Sequence, residues 1–332
     1  MLAPAFWNEP KRGLLAQGLR PLAAIYGAAT ARRMARPGVR LPVPVVCIGN
    51  FTAGGAGKTP VAAEVARLLQ ASGERVFILS RGYGGARRVA PLWVEPRLHS
   101  AAEAGDEPLL LAETASVIIG ADRVESARLA ILLGATVLVM DDGLQNPALA
   151  KSLTLAVVDG AVGAGNGLCL PAGPLRAPLA AQLPFVDAVV LIGARQAGED
   201  LARDCGKPVF RAALVPDAEV AALLAERKVV AFAGIGRPEK FFATLEALGA
   251  HVASRHAFGD HHVYSPAELI RIGNEAAREG AIAVTTRKDF ARIPERLRPP
   301  GLLALPVALA FGDAAAVMRM VTSALAAFKP SG

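Results

Sequence analysis

The sequence is poor in cysteine and contains no long apolar run. Its three cysteines, Cys47, Cys169 and Cys205, are too few and too far apart for a disulfide framework or a Cys-x-x-Cys metal site, which favours a reducing compartment. The mean hydropathy is +0.38, yet no stretch reaches the roughly 18 consecutive apolar residues that a membrane-spanning helix needs. Glu9 and Lys11 interrupt the N-terminal segment, so it lacks the pattern of a signal peptide. We therefore expect a cytoplasmic protein.

The composition also excludes disorder and low complexity. Hydrophobic residues make up 53% of the 332 residues and charged residues 20%, and the 33 glycines and 24 prolines are scattered along the chain. A chain of this length is expected to form two domains of ordinary size, or one large domain.

The positive charge of the chain is concentrated near its N-terminus. The formal net charge is +7, of which residues 1–40 carry +6. Apolar residues of the same segment recur at helical spacing, which predicts a basic amphipathic helical segment over residues 1–36. The basic residues are Lys11, Arg12, Arg20, Arg32, Arg33, Arg36 and Arg40, and the apolar ones are Leu15, Leu19, Leu22, Ile25 and Tyr26, preceded by Phe6 and Trp7.

A basic amphipathic helix of this kind can lie at an anionic membrane surface, where its apolar face anchors it and its arginines attract the headgroups. The alternative is a helix packed on the body of the protein with solvated arginines, because Gly13, Gly18 and Gly27 weaken an isolated helix. Nucleic acid binding is not expected, since the rest of the chain has no basic stripe.

The body of the chain alternates between strand and helix patterns, which predicts a mainly parallel sheet with helices on both faces. This alternation of strand and helix patterns is lost over residues 193–217 and resumes at Val229. We therefore predict a first domain over residues 37–215 and a second, smaller α/β domain over 216–332, with a cleft between them. The predicted strands are 43–48, 76–79, 117–119, 137–140, 155–158, 188–192, 229–233, 251–254, 282–285 and 302–309, and the predicted helices are 60–70, 107–114, 123–133, 238–248, 266–278 and 314–328.

A glycine-rich loop between the first strand and its helix has the context of a P-loop. Small residues there let backbone amides wrap a phosphate, while a lysine reaches the β and γ oxygens and a hydroxyl serves Mg²⁺. The general pattern begins with glycine, where this chain has Thr52. The predicted ATP-binding residues are Thr52, Ala53, Gly54, Gly55, Ala56, Gly57, Lys58 and Thr59.

Two adjacent carboxylates, Asp141 and Asp142, follow the buried run 137–140. A carboxylate at the end of a strand beside the P-loop is the position of a Walker B metal ligand, so both are candidate ligands of Mg²⁺ together with Thr59. The alternative for one of the two is a cap on the turn at Gly143.

Two candidates for a general base lie further along the chain. Asp106 precedes a helical stretch, where a simple N-cap is the competing interpretation. His261 lies in a polar cluster with Asp260, His262 and Tyr264, before the helix at Pro266. A metal site that includes His256 is disfavoured by its spacing.

Taken together, these segments resemble one family closely, the tetraacyldisaccharide 4'-kinases, which phosphorylate the lipid A precursor. The matching motifs appear in family order over almost the whole chain, and the family loop accepts a small polar residue at the position of Thr52. The motifs are GNFTAGGAGKTP (49–60), SRGYG (80–84), GDEP (105–108), DDGLQ (141–145), LPAGPLR (170–176) and DH (260–261).

The resemblance implies transfer of the γ-phosphoryl group of ATP to the 4'-hydroxyl of a tetraacylated glucosamine disaccharide 1-phosphate. It also implies a peripheral kinase at the cytoplasmic face of the inner membrane, with ATP and Mg²⁺ as cofactors. We expect the chain to be a monomer. Carried over by position, Asp106 is the general base and His261 the residue that orients it. Lys58 binds the β- and γ-phosphates, and Arg176 stabilises phosphate charge.

The chain departs from the family pattern at Ala177 and Arg287, where the family usually has glutamate, so an essential acidic role at either position is in doubt.

The competing function is a membrane-associated switch ATPase that transfers no phosphate. The loop of such ATPases carries a signature lysine where this chain has Ala53. A nucleotide-binding protein without catalysis is a third interpretation, against which Lys58, Asp106 and His261 argue.

Overall fold

The computed structural model describes residues 4–7, 13–86 and 90–330. Glu9, Lys11 and Arg12 of the N-terminal segment lie outside the described residues. Within the described ranges, no helix combines the length and the hydrophobicity that crossing a membrane requires.

Strands and helices alternate along most of the chain, with additional short 3-10 turns at Ala5–Trp7, Leu183–Phe185 and Glu295–Leu297. The strands are β1 (Val45–Asn50), β2 (Val76–Ser80), β3 (Leu92–Val94), β4 (Ser116–Ile119), β5 (Val137–Asp141), β6 (Leu153–Asp159), β7 (Ala188–Ile192), β8 (Val209–Pro216), β9 (Lys228–Ala233), β10 (His251–Ala257), β11 (Ile282–Thr286), β12 (Leu303–Leu305) and β13 (Val307–Phe311). The helices are α1 (Leu14–Gly18), α2 (Arg20–Met34), α3 (Lys58–Ala71), α4 (Ala101–Ala104), α5 (Asp106–Ala112), α6 (Arg123–Leu132), α7 (Leu179–Gln182), α8 (Gln196–Asp204), α9 (Ala218–Leu224), α10 (Pro238–Ala247), α11 (Pro266–Glu279), α12 (Arg287–Arg292) and α13 (Ala314–Ala326).

The larger of the two sheets has the strand order β13-β8-β7-β6-β1-β5-β2-β4-β3. Its strands are parallel except at the two edges, where β13 and β3 run antiparallel to their neighbours. The central strands are buried along their whole length because helices cover both faces, as expected for apolar runs in a parallel sheet. Helices α3, α5 and α13 contribute to the core on one face, and α6 and α8 contribute to the cores on the other. This confirms the predicted fold class.

The smaller sheet has the order β10-β9-β11-β12 and is parallel throughout. Its core contains α10 on one face and α11 on the other. Phe232 and Phe242 are fully buried there. This sheet is the second, smaller α/β unit that the sequence predicts.

The predicted strand over residues 302–309 is wrong, because the structure has two strands there. Residues 303–305 pair with β11 in the small sheet, whereas residues 307–311 pair with β8 in the large sheet. Pro306 separates them, since proline has no N–H to donate to a ladder. The chain thus leaves the large sheet at Pro216 and returns to it at Val307, which pairs with Pro216. The predicted second domain over residues 216–332 is therefore not one unit, because β13 and α13 belong to the large domain.

Candidate active site

The glycine-rich loop joins β1 to α3, with Gly54 and Gly55 exposed and Ala56 buried. Gly54 and Gly57 have φ values of 108° and 86°, in the left-handed region that favours glycine. A Cβ on Gly57 would lie 2.6 Å from Cδ1 of Ile192, whereas open space surrounds Gly54 and Gly55. The backbone of this exposed part of the loop is accessible, and α3 begins directly behind it at Lys58. An anion such as a phosphate group suits this arrangement.

Contacts from the segment around Arg176 hold this loop from the side. Arg176 donates from Nε to the carbonyl of Thr52 at 3.0 Å, and the N–H of Ala53 donates to the carbonyl of Pro174 at 2.7 Å. The sequence predicts that Arg176 stabilises phosphate charge, and its hydrogen bond to the loop is an additional role.

A buried amide pair supports the same region and was missed by the sequence analysis. Gln145 donates from Nε2 to the carbonyl of Asn50 at 2.7 Å and to Oε1 of Gln182 at 2.8 Å. Gln182, fully buried, donates in turn to the carbonyl of Ala177 at 2.6 Å. Gln145 ends the DDGLQ motif, but nothing in the local sequence marks Gln182 as its partner.

Asp142 lies among cations at the edge of the sheet. Its carboxylate is 3.6 Å from Nζ of Lys58 and accepts hydrogen bonds of 3.0 and 3.1 Å from Nη1 of Arg176. Burial alone would raise the pKa of Asp142, but the charges of Lys58 and Arg176 outweigh it and hold this pKa below its usual range. The structure thus brings together three residues predicted for the site.

Asp141 has different surroundings although it is the adjacent residue. It ends β5, which pairs with β1, and its Oδ1 is buried without a hydrogen-bond partner among the described residues. Burial, followed by the charges of Glu107 and Asp142, raises the pKa of Asp141 to about 7. Because an unpartnered buried carboxylate oxygen is costly, a cation beside Asp141 would be favourable. This donor set fits Mg²⁺, which prefers oxygen ligands and is usually held by one or two carboxylates with phosphate oxygens.

The protein side chains of the described part of the chain provide no closed metal cage. Groups of three or more His, Cys, Asp or Glu side chains that could hold a metal ion are not found there. His256 instead contacts Glu275 at 2.9 Å and His262 contacts Glu268 at 3.2 Å.

The two predicted base candidates meet across the boundary between the two α/β units. Asp106 is the first residue of α5 in the large domain, and His261 lies in the loop before α11 in the small one. Nδ1 of His261 is 3.4 Å from Oδ2 of Asp106, which is only 3% exposed. His261 has a φ of 59°, and its ring lies against that of Tyr83, 5.2 Å between centroids. Sequence patterns could not predict this distance, since 154 residues separate the two positions.

Two cationic side chains of helix α12 lie beside Asp106, and the sequence predicts a role for neither. Arg292 donates from Nε to Oδ2 of Asp106 at 2.8 Å, and Nζ of Lys288 lies 3.8 Å from the same oxygen. Burial would raise the pKa of Asp106, but the hydrogen bond to His261 and the charges of Lys288 and Arg292 hold this pKa well below its usual range. Asp106 is therefore ionised in this arrangement.

The two positions that depart from the family pattern have separate surroundings. Ala177 is fully buried in the apolar core beneath the loop at Phe51. Arg287 contacts Glu113 at 2.5 Å, and this ion pair joins α12 to the end of α5 across the domain boundary.

Comparison with known proteins identifies the family. A family model described as Tetraacyldisaccharide-1-P 4'-kinase matches residues 15–326. A relative from Methylorubrum extorquens named tetraacyldisaccharide 4'-kinase is 53% identical over 327 residues, covering 98% of this chain and 99% of the relative. One of the same name from Methylobacterium nodulans is 51% identical over 334 residues, with coverages of 99% and 98%.

A solved structure agrees with these sequence matches. The crystal structure of LpxK from Aquifex aeolicus in complex with ATP superposes with a TM-score of 0.74 and 28% sequence identity, covering 94% of this chain and all of that one. The family match spans most of the chain, and the two relatives are covered almost completely. The family predicted from the motifs is confirmed: this chain belongs to the tetraacyldisaccharide-1-P 4'-kinases.

Proposed function

We propose that this chain transfers the γ-phosphoryl group of ATP to the 4'-hydroxyl of tetraacyldisaccharide 1-phosphate in lipid A biosynthesis, with Asp106 as the general base. The observation that carries this proposal is the contact between Asp106 and His261, which joins a carboxylate and an imidazole from two domains. A sugar hydroxyl that attacks phosphorus needs a positioned proton acceptor, and a buried ionised carboxylate meets that need. His261 orients Asp106 and supports its charge.

The remaining predicted site residues surround the phosphates in this proposal. Lys58 and the amides of the loop bind the β- and γ-phosphates, and Arg176 meets the charge on the transferred group. Asp141 and Thr59 would hold Mg²⁺, with Asp142 close by. Bound there, the ion would neutralise charge on the β- and γ-phosphate oxygens. Asp141 is the more suitable aspartate, because Lys58 and Arg176 already contact Asp142.

The decisive experiment is transfer of label from γ-labelled ATP to purified tetraacyldisaccharide 1-phosphate in mixed micelles. We expect labelled lipid from the unaltered chain and none from Lys58→Ala. The variant Asp106→Ala should lower kcat by about 10²- to 10⁴-fold, the usual contribution of a general base, with ATP binding intact. Asp204→Ala, an exposed aspartate on α8, is the matched control and should retain full activity.

Each contrary result has a definite meaning. Hydrolysis of ATP without lipid labelling would favour a switch ATPase over a transferase. An unchanged kcat in Asp106→Ala would remove Asp106 from the role of base.

We further propose that the N-terminal helices hold the enzyme, as a monomer, at the cytoplasmic face of the inner membrane, where an acceptor with four acyl chains resides. Helix α2 packs on the body through small residues such as Ala23 and Gly27, which are buried. A Cβ on Gly27 would lie 3.0 Å from Sγ of Cys169, so this face fits only small side chains.

The opposite face of these helices leaves large apolar side chains in solvent. Leu15, Leu22 and Ile25 are 62%, 57% and 69% exposed, and Arg20, Arg32, Arg33 and Arg36 beside them are also exposed. Apolar side chains flanked by arginines suit the interface of an anionic bilayer. Trp7, in contrast, does not join this face, because its Nε1 donates to the carbonyl of Pro171 at 3.0 Å.

Sedimentation with anionic liposomes tests the membrane proposal. Replacing Arg32, Arg33 and Arg36 together by glutamate should abolish most of the sedimentation, since each basic residue near such a surface contributes about 1 kcal/mol. The matched control reverses three exposed arginines of the small domain, at positions 271, 278 and 296, and should sediment like the unaltered chain. Equal binding by both triple variants would contradict the proposal.

A further inference from the structure

The two carboxylate oxygens of Asp106 differ in the number of donors that contact them. Oδ2 accepts from Nε of Arg292 at 2.8 Å and also contacts its Nη2, with His261 and Lys288 at 3.4 and 3.8 Å. Among the described residues, Oδ1 accepts a single hydrogen bond, from the N–H of Glu107 at 3.0 Å. A carboxylate oxygen has two lone pairs, so Oδ2 is saturated and Oδ1 keeps one acceptor position.

The guanidinium of Arg292 is itself rigidly held by the small domain. Its Nη1 donates to Oδ1 of Asp289 and to the carbonyl of Gly234, both at 2.8 Å. Asp289 is completely buried and accepts two further bonds through Oδ2, from the hydroxyl of Thr286 at 2.6 Å and from the N–H of Gly234 at 3.1 Å. The side chain of Arg292 is 8% exposed. Arg292 therefore has one defined position, from which it reaches Asp106 in the other domain.

His261 shares this contact with Arg292. Its Nδ1 lies 3.3 Å from Nη2 of Arg292 as well as 3.4 Å from Asp106. A guanidinium only donates, so Nδ1 donates to Asp106 when it carries a proton and accepts from Arg292 when it does not. Arg292 can thus hold the carboxylate in either state of the imidazole.

We propose that Arg292, anchored by Asp289, is a positioning residue for the base: it occupies Oδ2 of Asp106 and leaves Oδ1 as the oxygen that takes the proton of the attacking hydroxyl. The inference rests on the proposed role of Asp106 as base and adds the residue that sets its orientation. Proton transfer then forms an O–H bond on Oδ1 as the hydroxyl oxygen bonds to phosphorus, and ADP leaves with the electrons of the broken P–O bond.

The charged and titratable groups that contact Asp106 or one of its partners come from four segments. They are Tyr83 from the loop after β2, Glu107 from α5 itself, Asp260 and His261 from the loop before α11, and Lys288, Asp289 and Arg292 from α12. Removing the cation of Arg292 leaves the buried carboxylate of Asp106 with Lys288 as a cation 3.8 Å away and with the imidazole of His261. The loss of one positive charge favours the protonated form of Asp106.

The variants Arg292→Lys and Arg292→Gln test this inference in the full-length enzyme with the lipid-labelling assay. Lysine keeps the charge but cannot bridge Asp106, Asp289 and a carbonyl at once as the planar fork does. We expect Arg292→Lys to lower kcat about 10- to 100-fold with an unchanged KM for ATP, because a small misplacement of a reacting group has this effect. The kcat of the enzyme should fall at low pH, where the base becomes protonated. In Arg292→Gln the midpoint of this acidic limb should rise by about one pH unit or more.

A variant with a purely structural defect would lose activity at every pH without moving the limb. Arg287→Gln is the matched control, since Arg287 lies on the same helix and pairs across the same boundary without contacting Asp106; its acidic limb should stay in place. If both Arg292 variants keep the kcat and the pH profile of the unaltered enzyme, the inference is overturned.

If Arg292→Gln folds poorly, a double-mutant cycle with Arg292→Lys still tests the inference. In the Asp106→Ala background, Arg292→Lys should lower kcat no further, because the group that it positions is already absent. Full additivity of the two losses would contradict the inference. Failure of the proposed function is a separate result, since it appears as an unimpaired Asp106→Ala single variant.

Discussion

At the scale of single residues, the neighbours Asp141 and Asp142 show how surroundings divide two identical side chains. Asp142 turns out of the strand with a φ of 53° and meets Lys58 and Arg176, which favour its charged form. Asp141 stays in β5, where burial favours its neutral form and raises its pKa to about 7. The same carboxyl group is therefore paired at one position and unpaired at the next.

This difference predicts opposite effects of pH and mutation on the metal-free protein. A carboxyl whose pKa rises on folding stabilises the fold below its unfolded pKa, about 4, and this stabilisation is lost as the pH rises towards 7. Asp141→Asn should therefore increase the free energy of unfolding at pH 8 by about 1 kcal/mol or more, and change it little at pH 4. Urea unfolding at the two pH values measures this.

Asp142→Asn is the matched control with the opposite sign. Because the pKa of Asp142 is lowered in the folded state, its charge stabilises the fold above about pH 4 and this contribution disappears as the pH falls. The variant should be less stable than the unaltered chain at pH 8. A loss of stability at pH 8 in Asp141→Asn as well would contradict the assignment of an unpaired Asp141.

At the scale of elements, α11 shows how a local signal places a helix next to the site. Ser265 and Glu268 form a reciprocal capping box at its N-terminus, with the N–H of Ser265 donating to Glu268 at 2.8 Å. The hydrogen bonds from Ser265, and then His262, lower the pKa of Glu268 to about 2. This cap ends the loop that carries His261.

Loss of the cap should cost about 1 kcal/mol. We expect Ser265→Ala to lower the free energy of unfolding by this amount at pH 7. The loss should shrink as the pH falls from about 4.5 towards 2, where Glu268 becomes protonated and its side of the box weakens. Urea unfolding across this pH range measures it, with Ser323→Ala, an exposed serine of α13, as the control that should lose nothing. A loss that does not depend on pH would contradict the role of Glu268.

The elements differ in how well the sequence predicts them. Buried central strands such as β5 and β7 agree with their predicted ranges to within a residue, because a continuous apolar run bounded by polar residues has few other interpretations. Strand β8 was missed, since its residues are mostly exposed or half-buried and show no continuous apolar run. The pairing of β8 with β13, about 90 residues later, is a tertiary contact that local pattern cannot report.

At the scale of the whole molecule, several ion pairs join the two domains. Lys288 contacts Glu107 at 2.8 Å, Arg287 contacts Glu113, and Arg237 contacts Asp159 near the end of β6. The two chain crossings between the domains also lie side by side, where Val307 pairs with Pro216. Asp106 and His261, one from each domain, meet at this same boundary.

A charge swap tests the ion pair between Arg287 and Glu113. Arg287→Glu places two carboxylates together and should lower the free energy of unfolding by at most about 1 kcal/mol, because the pair is exposed. The double variant Glu113→Arg with Arg287→Glu should recover that loss. Thermal melting at low and high salt measures both, and salt should reduce the difference. A double variant as unstable as Arg287→Glu would show that the pair does not stabilise the boundary.

The sequence by itself determined the fold class, the phosphate-binding loop, the family and the list of candidate site residues. Local patterns suffice for these, because a P-loop and a buried parallel strand each depend on residues close together in the chain. Tertiary structure alone decided which distant groups meet. Arg292 and Asp289 follow an ordinary helical spacing, and only the docking of α12 on α5 brings them to Asp106. The ionisation of Asp141 and Asp142 was likewise decided there, since burial and neighbouring charge depend on the packing of whole elements.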